Sequence, residues 1–224
     1  MLKAVIFDMD GVLVDTEPVH YQANKQIMSE FGYDFEYDYY KKFIGSTLAF
    51  MWEELTEKYD IKKPVDELCD MSRDYSNAII EKEGYPTIEG AVELVKKIHG
   101  KEIKLAVASS SSLEIIKDVV SKLQIEEYFD KLVSGEDVKN PKPAPDVFIK
   151  AANQLGVTSG ECLVIEDSAN GVKAAKNANM ACVGFVNKNS GDQDLSVADY
   201  LVESFTGIEI EFLDMVYCHA NGEP

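Results

Sequence analysis

Two aspartates separated by one residue, Asp8 and Asp10, stand where a short apolar run gives out, in Phe7-Asp8-Met9-Asp10-Gly11-Val12-Leu13-Val14-Asp15-Thr16. Side chains two apart on an extended segment point to the same side, so both carboxylates can face one pocket. One carboxylate can then attack an electrophile while the other moves a proton, a division of labour that suits phosphoryl and acyl transfer alike. Two like charges so close also need a cation, and a pocket of oxygen donors selects magnesium. The same Asp-x-Asp-Gly run also reads as a plain turn, because Asp and Gly favour turns.

Three further stations carry side chains suited to the same chemistry. Ser109 and Ser110 open the run Ser109-Ser110-Ser111-Ser112, directly after the apolar Leu105-Ala106-Val107-Ala108. Hydroxyls and backbone N–H groups at a helix N-terminus can hold a phosphate, although the run also reads as an N-cap. Lys142 lies in Asn140-Pro141-Lys142-Pro143-Ala144-Pro145, where the prolines restrict the backbone and present one cation. Any single lysine also reads as a solvated surface charge. Glu166-Asp167-Ser168 ends another apolar run and supplies two more carboxylates that could hold a metal. Capping of the next helix is the plainer use of Asp167 or Ser168.

These stations need elements that bring them together. Short β-branched and aromatic runs at 3–7, 103–108, 131–134, 162–165 and 181–186 read as strands. Between them, 89–99, 113–123, 146–155 and 169–178 carry apolar residues at helical spacing. Strand and helix alternating in this way predict an α/β fold, a Rossmann-like parallel sheet core with helices on both faces. The four leading strands end at Asp8, Ser109, Ser134 and Glu166, and ligands of such sheets bind beyond the carboxyl ends of the strands. Residues 16–83 contain no convincing core strand, and helices are expected there at 18–31, 36–43, 48–59 and 65–82. That stretch is read as an inserted all-helical domain, with 1–15 and 84–224 forming the catalytic core and Gly84-Tyr85-Pro86-Thr87 a hinge. Residues 33–40 alternate aromatic and acidic side chains and could form a strand instead, and the segment after Cys218 is expected to fray.

Composition narrows the function. The 224 residues carry 22 Lys+Arg against 40 Asp+Glu, a formal net charge of −18, which disfavours nucleic-acid partners because those are bound by clustered cations. With 46% hydrophobic and 10% aromatic residues, the chain can bury a full core and a modest second module. Its apolar runs fall far short of the roughly 20 residues that span a bilayer. Asp8 and Asp10 interrupt the N-terminal apolar stretch before it could serve as a signal-peptide core. A cytoplasmic protein without a membrane partner is expected, with monomer as the default state. Cys69, Cys162, Cys182 and Cys218 form no CxxC and His20, His99 and His219 are scattered, so reduced, mostly buried thiols are expected rather than a disulfide framework or a zinc site.

Taken together and in order, the four stations resemble the haloacid dehalogenase-like hydrolase superfamily with an all-helical cap, over nearly the whole chain. Within it the sequence looks most like the β-phosphoglucomutase and sugar-phosphate phosphatase branch. The resemblance implies that Asp8 is a nucleophile that becomes an aspartyl phosphate. It implies that Asp10 protonates the leaving oxygen and then activates the incoming water or hydroxyl. Ser109, Ser110 and Lys142 would bind the transferring phosphoryl group, and Mg2+ would be held by Asp8, the backbone carbonyl of Asp10, Glu166 and Asp167. A dehalogenase is disfavoured because that branch lacks the second aspartate. A phospho-aspartate signalling module lacks a helical insert of this size.

What accepts the phosphoryl group decides the branch. The β-phosphoglucomutases carry a lysine just before a cap glycine and an arginine shortly after it, and their serine-rich core loop continues with lysine and asparagine. Aligning that glycine to Gly45 puts Ile44 and Leu48 at the cationic positions, and the core loop continues as Ser112-Leu113. These departures favour hydrolysis of a small monophosphate, a sugar or polyol phosphate, over a mutase. Arg73, the chain's one arginine, is a candidate substrate contact or a surface partner of Asp70 or Asp74. His20 matches a histidine that in the mutases is thought to couple cap closure to the second aspartate, and also reads as a helix-surface histidine. Phe50, Met51 and Trp52 could line an apolar substrate wall, though packing among cap helices is the commoner use.

Overall fold

Ala4–Phe7 is apolar and buried at every position, as a central strand covered on both faces must be. It is β1 of the computed structural model, which describes residues 1–222. Helices follow: α1 Glu17–Glu30, α2 Tyr37–Tyr40, α3 Leu48–Tyr59 and α4 Val65–Glu83. The chain then alternates through α5 Ala91–His99, β2 Lys104–Ser109, α6 Leu113–Lys122, β3 Lys131–Ser134, α7 Asp146–Leu155, β4 Cys162–Glu166, α8 Ala169–Asn177 and β5 Ala181–Phe185. It closes with β6 Tyr200–Val202 and α9 Ile210–Asn221.

The sheet order is β3-β2-β1-β4-β5-β6 and all five pairings are parallel. This is the doubly wound order, and the direction of winding reverses between β1 and β4. Register places Phe7 opposite Val107 on one side and Ile165 on the other, so the residues just past the ends of β1, β2 and β4 fall in one row. Beneath them Ile6, Ala106 and Val164 pack with Phe148, Ala151 and Leu155 of α7 and Val172 and Ala175 of α8.

The chain divides into two compact units, one of Met1–Asp15, Pro86–Lys188 and the residues from Asp192 onward, the other of Thr16–Tyr85 with Asn189–Gly191. The second is all-helical and has its own apolar cluster, including Ile27, Phe35, Trp52, Leu55 and Leu68. A buried polar chain crosses it: Trp52 Nε1 donates to Ser72 Oγ (2.8 Å), Ser72 Oγ to Asn24 Oδ1 (2.7 Å), and Asn24 Nδ2 to the His20 carbonyl (2.8 Å). Each polar group in this apolar interior thereby has a partner.

The aromatic-acidic stretch is helical, as expected for 36–43, and does not form the alternative strand: α2 begins at Tyr37 and passes into a 3₁₀ turn at Lys41–Phe43, with Phe35 and Tyr40 buried among rings while Asp34, Glu36 and Asp38 face solvent. Other elements differ from the sequence expectation. The residues after Cys218 do not fray at once. α9 runs to Asn221 and ends on Gly222 in the left-handed region, where glycine carries no Cβ penalty; Glu223 and Pro224 lie outside the described residues. β6 was not expected, because Tyr200-Leu201-Val202 is an apolar run of only three residues between Asp199 and Glu203, an edge strand on which Tyr200 and Leu201 are 45% and 47% exposed. Among the described residues no helix is long and apolar enough to cross a membrane. Cys69, Cys162, Cys182 and Cys218 form no disulfide among the described residues; the first three are buried and Cys218 is half-buried.

Candidate active site

Asp8 follows β1 while still in the ladder, its N–H donating to the Ile165 carbonyl at 2.9 Å. The chain then folds back tightly: the Met9 carbonyl accepts from Leu13 N–H (2.8 Å) and Gly11 N–H donates to the Val14 carbonyl (2.6 Å). Gly11 has φ +82°, and a Cβ there would overlap the Asp167 carboxylate. Glycine is therefore required twice, by backbone conformation and by the close approach of Asp167. Asn187, just beyond β5, donates from Nδ2 to the Gly11 carbonyl at 3.3 Å.

Lys142 is the centre of the charge arrangement. Its Nζ donates to Asp8 Oδ1 at 2.6 Å and to Glu166 Oε1 at 2.7 Å, and lies 4.8 Å from the Phe148 ring centroid. The three side chains are 8%, 9% and 1% exposed, so these contacts operate with little solvent screening. Glu166 Oε2 accepts from both N–H and Oγ of Ser168 (2.7 and 2.9 Å), which fixes the carboxylate that fixes the lysine. Gly171 in the first turn of α8 leaves the room: a Cβ there would overlap the Glu166 carboxylate.

Burial pushes the Asp8 carboxyl well above its ordinary range, and Glu166 and Asp167 push the same way against the opposing pull of Lys142. Burial by itself would lower Lys142, but Asp8 and Glu166 outweigh it and hold the ammonium above its usual value. Lys142 is therefore a fixed cation. Asp8 and Glu166 share it, and a third buried carboxylate, Asp167, adds negative charge beside Asp8.

That imbalance fits a divalent cation held by hard oxygens. Among the described residues no three His, Cys, Asp or Glu side chains stand ready-made to hold a metal. Magnesium needs no such cage, since it commonly keeps waters and takes one or two carboxylates plus substrate phosphate. The residues present fit such an ion.

The serine loop sits beside this cluster. Ser109 is 2% exposed and accepts from Ser111 N–H at 3.1 Å, and Ser111 Oγ donates to Asp10 Oδ2 at 3.2 Å. Ser112, not Ser109, caps α6, accepting from Ile115 N–H at 3.4 Å, which leaves Ser109 and Ser110 to other uses. Ser110 and Lys142 line one cavity of about 240 Å³ with Gly135, Glu136 and Pro141. Asp8, Asp10, Ser109, Ser110, Lys142, Glu166 and Asp167 thus come together at the strand ends of the sheet. Ser111 and Asn187 join them, although neither was singled out in the sequence; the spacing of Ser111 two after Ser109 was a usable signal, whereas Asn187 gave none.

The remaining candidates belong to the helical unit. His20 and Gly45 line a cavity of about 230 Å³ there, with Glu17, Tyr40, Thr47 and Leu48 among its other walls and neither Lys nor Arg. Tyr40 Oη donates to Glu17 Oε2 at 2.7 Å, and His20 Nδ1 lies 3.3 Å from Ser76 Oγ. Arg73 is not a wall of this cavity; it is 62% exposed and pairs with Asp70 at 2.6 Å. Trp52 and Met51 are buried, Met51 also reaching the cavity, while Phe50 is 48% exposed.

The sequence profile of the haloacid dehalogenase-like hydrolases matches residues 5–185. A phosphorylated carbohydrates phosphatase of Thermotoga maritima is 36% identical over 184 residues, covering 79% of this chain and 82% of that protein. A beta-phosphoglucomutase of Bacillus subtilis is 30% identical over 220 residues, covering 95% and 94%. Among solved structures, a HAD family hydrolase from Deinococcus radiodurans with bound phosphate and sodium superimposes with a TM-score of 0.79 at 25% identity, covering 98% of this chain and 96% of that one.

Proposed function

The chain belongs to the haloacid dehalogenase-like hydrolases, and on that premise we propose that it is a magnesium-dependent phosphatase of small sugar or polyol monophosphates that works through an aspartyl phosphate on Asp8. The observation that carries this reading is the buried ion-paired row Asp8–Lys142–Glu166 at the strand ends, with Asp10 and the serine loop alongside. Asp8 attacks phosphorus as the ester P–O bond breaks, and Asp10 delivers a proton to the departing alcohol oxygen. Asp10 then takes a proton from water as the water oxygen bonds phosphorus and the bond from the Asp8 carboxylate oxygen to phosphorus breaks, which releases inorganic phosphate and restores Asp8.

Lys142, Ser109 and Ser110 would hold the transferring oxygens, placed before reaction so that little reorganisation is needed. Asp8, Asp167 and the Asp10 carbonyl would hold Mg2+. Glu166, its oxygens already accepting from Lys142 and Ser168, would act on it through charge. Bound there, the ion would supply positive charge against the negative charge that builds on the phosphoryl group. The helical unit would serve as the cap. Its own cavity around His20 and Gly45 is lined by Glu17 and by neither Lys nor Arg, which disfavours a second phosphate there.

Phosphorus NMR with magnesium and a mixture of sugar monophosphates tests the reading. Inorganic phosphate should accumulate with the wild-type protein and fall on the order of 10⁴-fold with Asp8→Asn; substantial turnover by that variant would overturn the mechanism. Similarity to the Bacillus subtilis mutase favours a second reading, a phosphosugar mutase. Conversion of β-glucose 1-phosphate to glucose 6-phosphate without free phosphate, given a trace of glucose 1,6-bisphosphate, would establish it instead.

A further inference from the structure

We propose that Ser111 is a positioning residue that aims the carboxyl of Asp10 for proton transfer, and that buried Ser134 holds Ser111 in place from the end of the neighbouring strand. The inference rests on the reading that Asp10 moves the proton. Ser111 is fixed at three points: its N–H donates to Ser109 Oγ (3.1 Å), its carbonyl accepts from Ser134 Oγ (2.7 Å), and its own Oγ donates to Asp10 Oδ2 (3.2 Å). Ser134 is itself oriented, accepting from Glu136 N–H at 3.1 Å, and is 1% exposed. Backbone anchored at both amide and carbonyl leaves the Ser111 side chain few directions, and the one it takes points at Asp10. A half-buried serine that only capped or filled space would not need this support from two buried hydroxyls.

The chemistry follows from which oxygen accepts. A hydroxyl donating to Oδ2 suits either protonation state of Asp10 and disfavours a proton on that oxygen, so the transferred proton is carried by the other one. When the alcohol leaves, that proton passes from Asp10 to the alkoxide oxygen; when water attacks, Asp10 receives one back. Ser111 keeps its own proton throughout. A misplaced carboxyl would impair the step in which a poor leaving group must be protonated, and would matter less where the leaving group departs as a stable anion.

The test compares kcat/KM for an alkyl phosphate, glycerol 3-phosphate or the best sugar phosphate found, with that for p-nitrophenyl phosphate, whose phenolate leaves unprotonated. Ser111→Ala should lower the alkyl-to-aryl ratio at least tenfold. Ser111→Thr, which keeps the hydroxyl, should restore most of it, and Ser134→Ala should lower it in the same direction by less. Equal losses on both esters, or an unchanged ratio in Ser111→Ala, would overturn the proposal. Asp8→Asn, run in parallel, separates the two readings. If it abolishes turnover of both esters, the ratio reports on Ser111 alone. If it still turns them over, the aspartyl-phosphate mechanism falls and the role of Ser111 with it.

Discussion

At the scale of single residues, the site is governed by how few cations answer its carboxylates. Lys142 is 8% exposed and bonded to Asp8 and Glu166, so Lys142→Met leaves two buried carboxylates uncompensated. Losses of this kind cost about 3–5 kcal/mol, and removal of a preplaced charge at a reacting group costs about 10²–10³-fold in rate. The expected outcome is both effects in one protein, read by denaturant unfolding and by steady-state hydrolysis; an inactive variant of unchanged stability would show that the lysine is not paired as described. Gly171→Ala separates the two contributions. In the first turn of α8 an alanine gains up to roughly 1 kcal/mol of helix propensity, yet its methyl would overlap the Glu166 carboxylate that orients Lys142. Hydrolysis should fall at least tenfold, and unimpaired activity in this variant would mean that Glu166 does not set the position of the lysine.

Elements carry the strand ends to one row, and one exposed cluster ties two of them at their starts. Glu161, just before β4, accepts from Thr158 N–H and Oγ1 at 2.8 Å each and pairs with Lys3, just before β1, at 2.5 Å, while Lys3 N–H donates to the Glu161 carbonyl at 2.9 Å. The bond from Lys3 is the leading cause, with those from Thr158, that holds the Glu161 carboxyl down at about 2. A depressed carboxyl stabilises the fold above its unfolded value of about 4.3 and loses that contribution as pH falls toward the folded value. Glu161→Gln should therefore melt below wild type at pH 6 and match it near pH 2; a difference that persists in acid would assign the effect to packing. β1, β2, β4 and β5 were legible in the sequence because strands buried on both faces read as continuous apolar runs. β6 was not, being short and exposed at the edge. The Asp8, Lys142 and Glu166 positions were legible as polar residues at strand ends or in a proline-stiffened loop, whereas the link from Ser134 through Ser111 to Asp10 depends on side-chain directions that sequence spacing does not carry.

Over the whole molecule, an electrostatic conflict remains. A formal charge of −18 repels a phosphate ester, and the site adds three buried carboxylates around one lysine. Each unit is nevertheless held by its own apolar cluster, so the fold does not depend on a metal as a small zinc domain does. Chelation with EDTA should therefore abolish hydrolysis while leaving the far-ultraviolet circular dichroism unchanged. Magnesium bound by the native state alone stabilises it by mass action, about 2.7 kcal/mol at a hundredfold excess over Kd, which for a chain of this size raises Tm by roughly 5–10 °C. Asp8→Asn removes one of the carboxylates that the ion would balance, so its magnesium-dependent rise should be the smaller of the two. A Tm indifferent to magnesium in wild type, or an equal rise in both proteins, would mean that the charge conflict at the strand ends is not what the metal relieves.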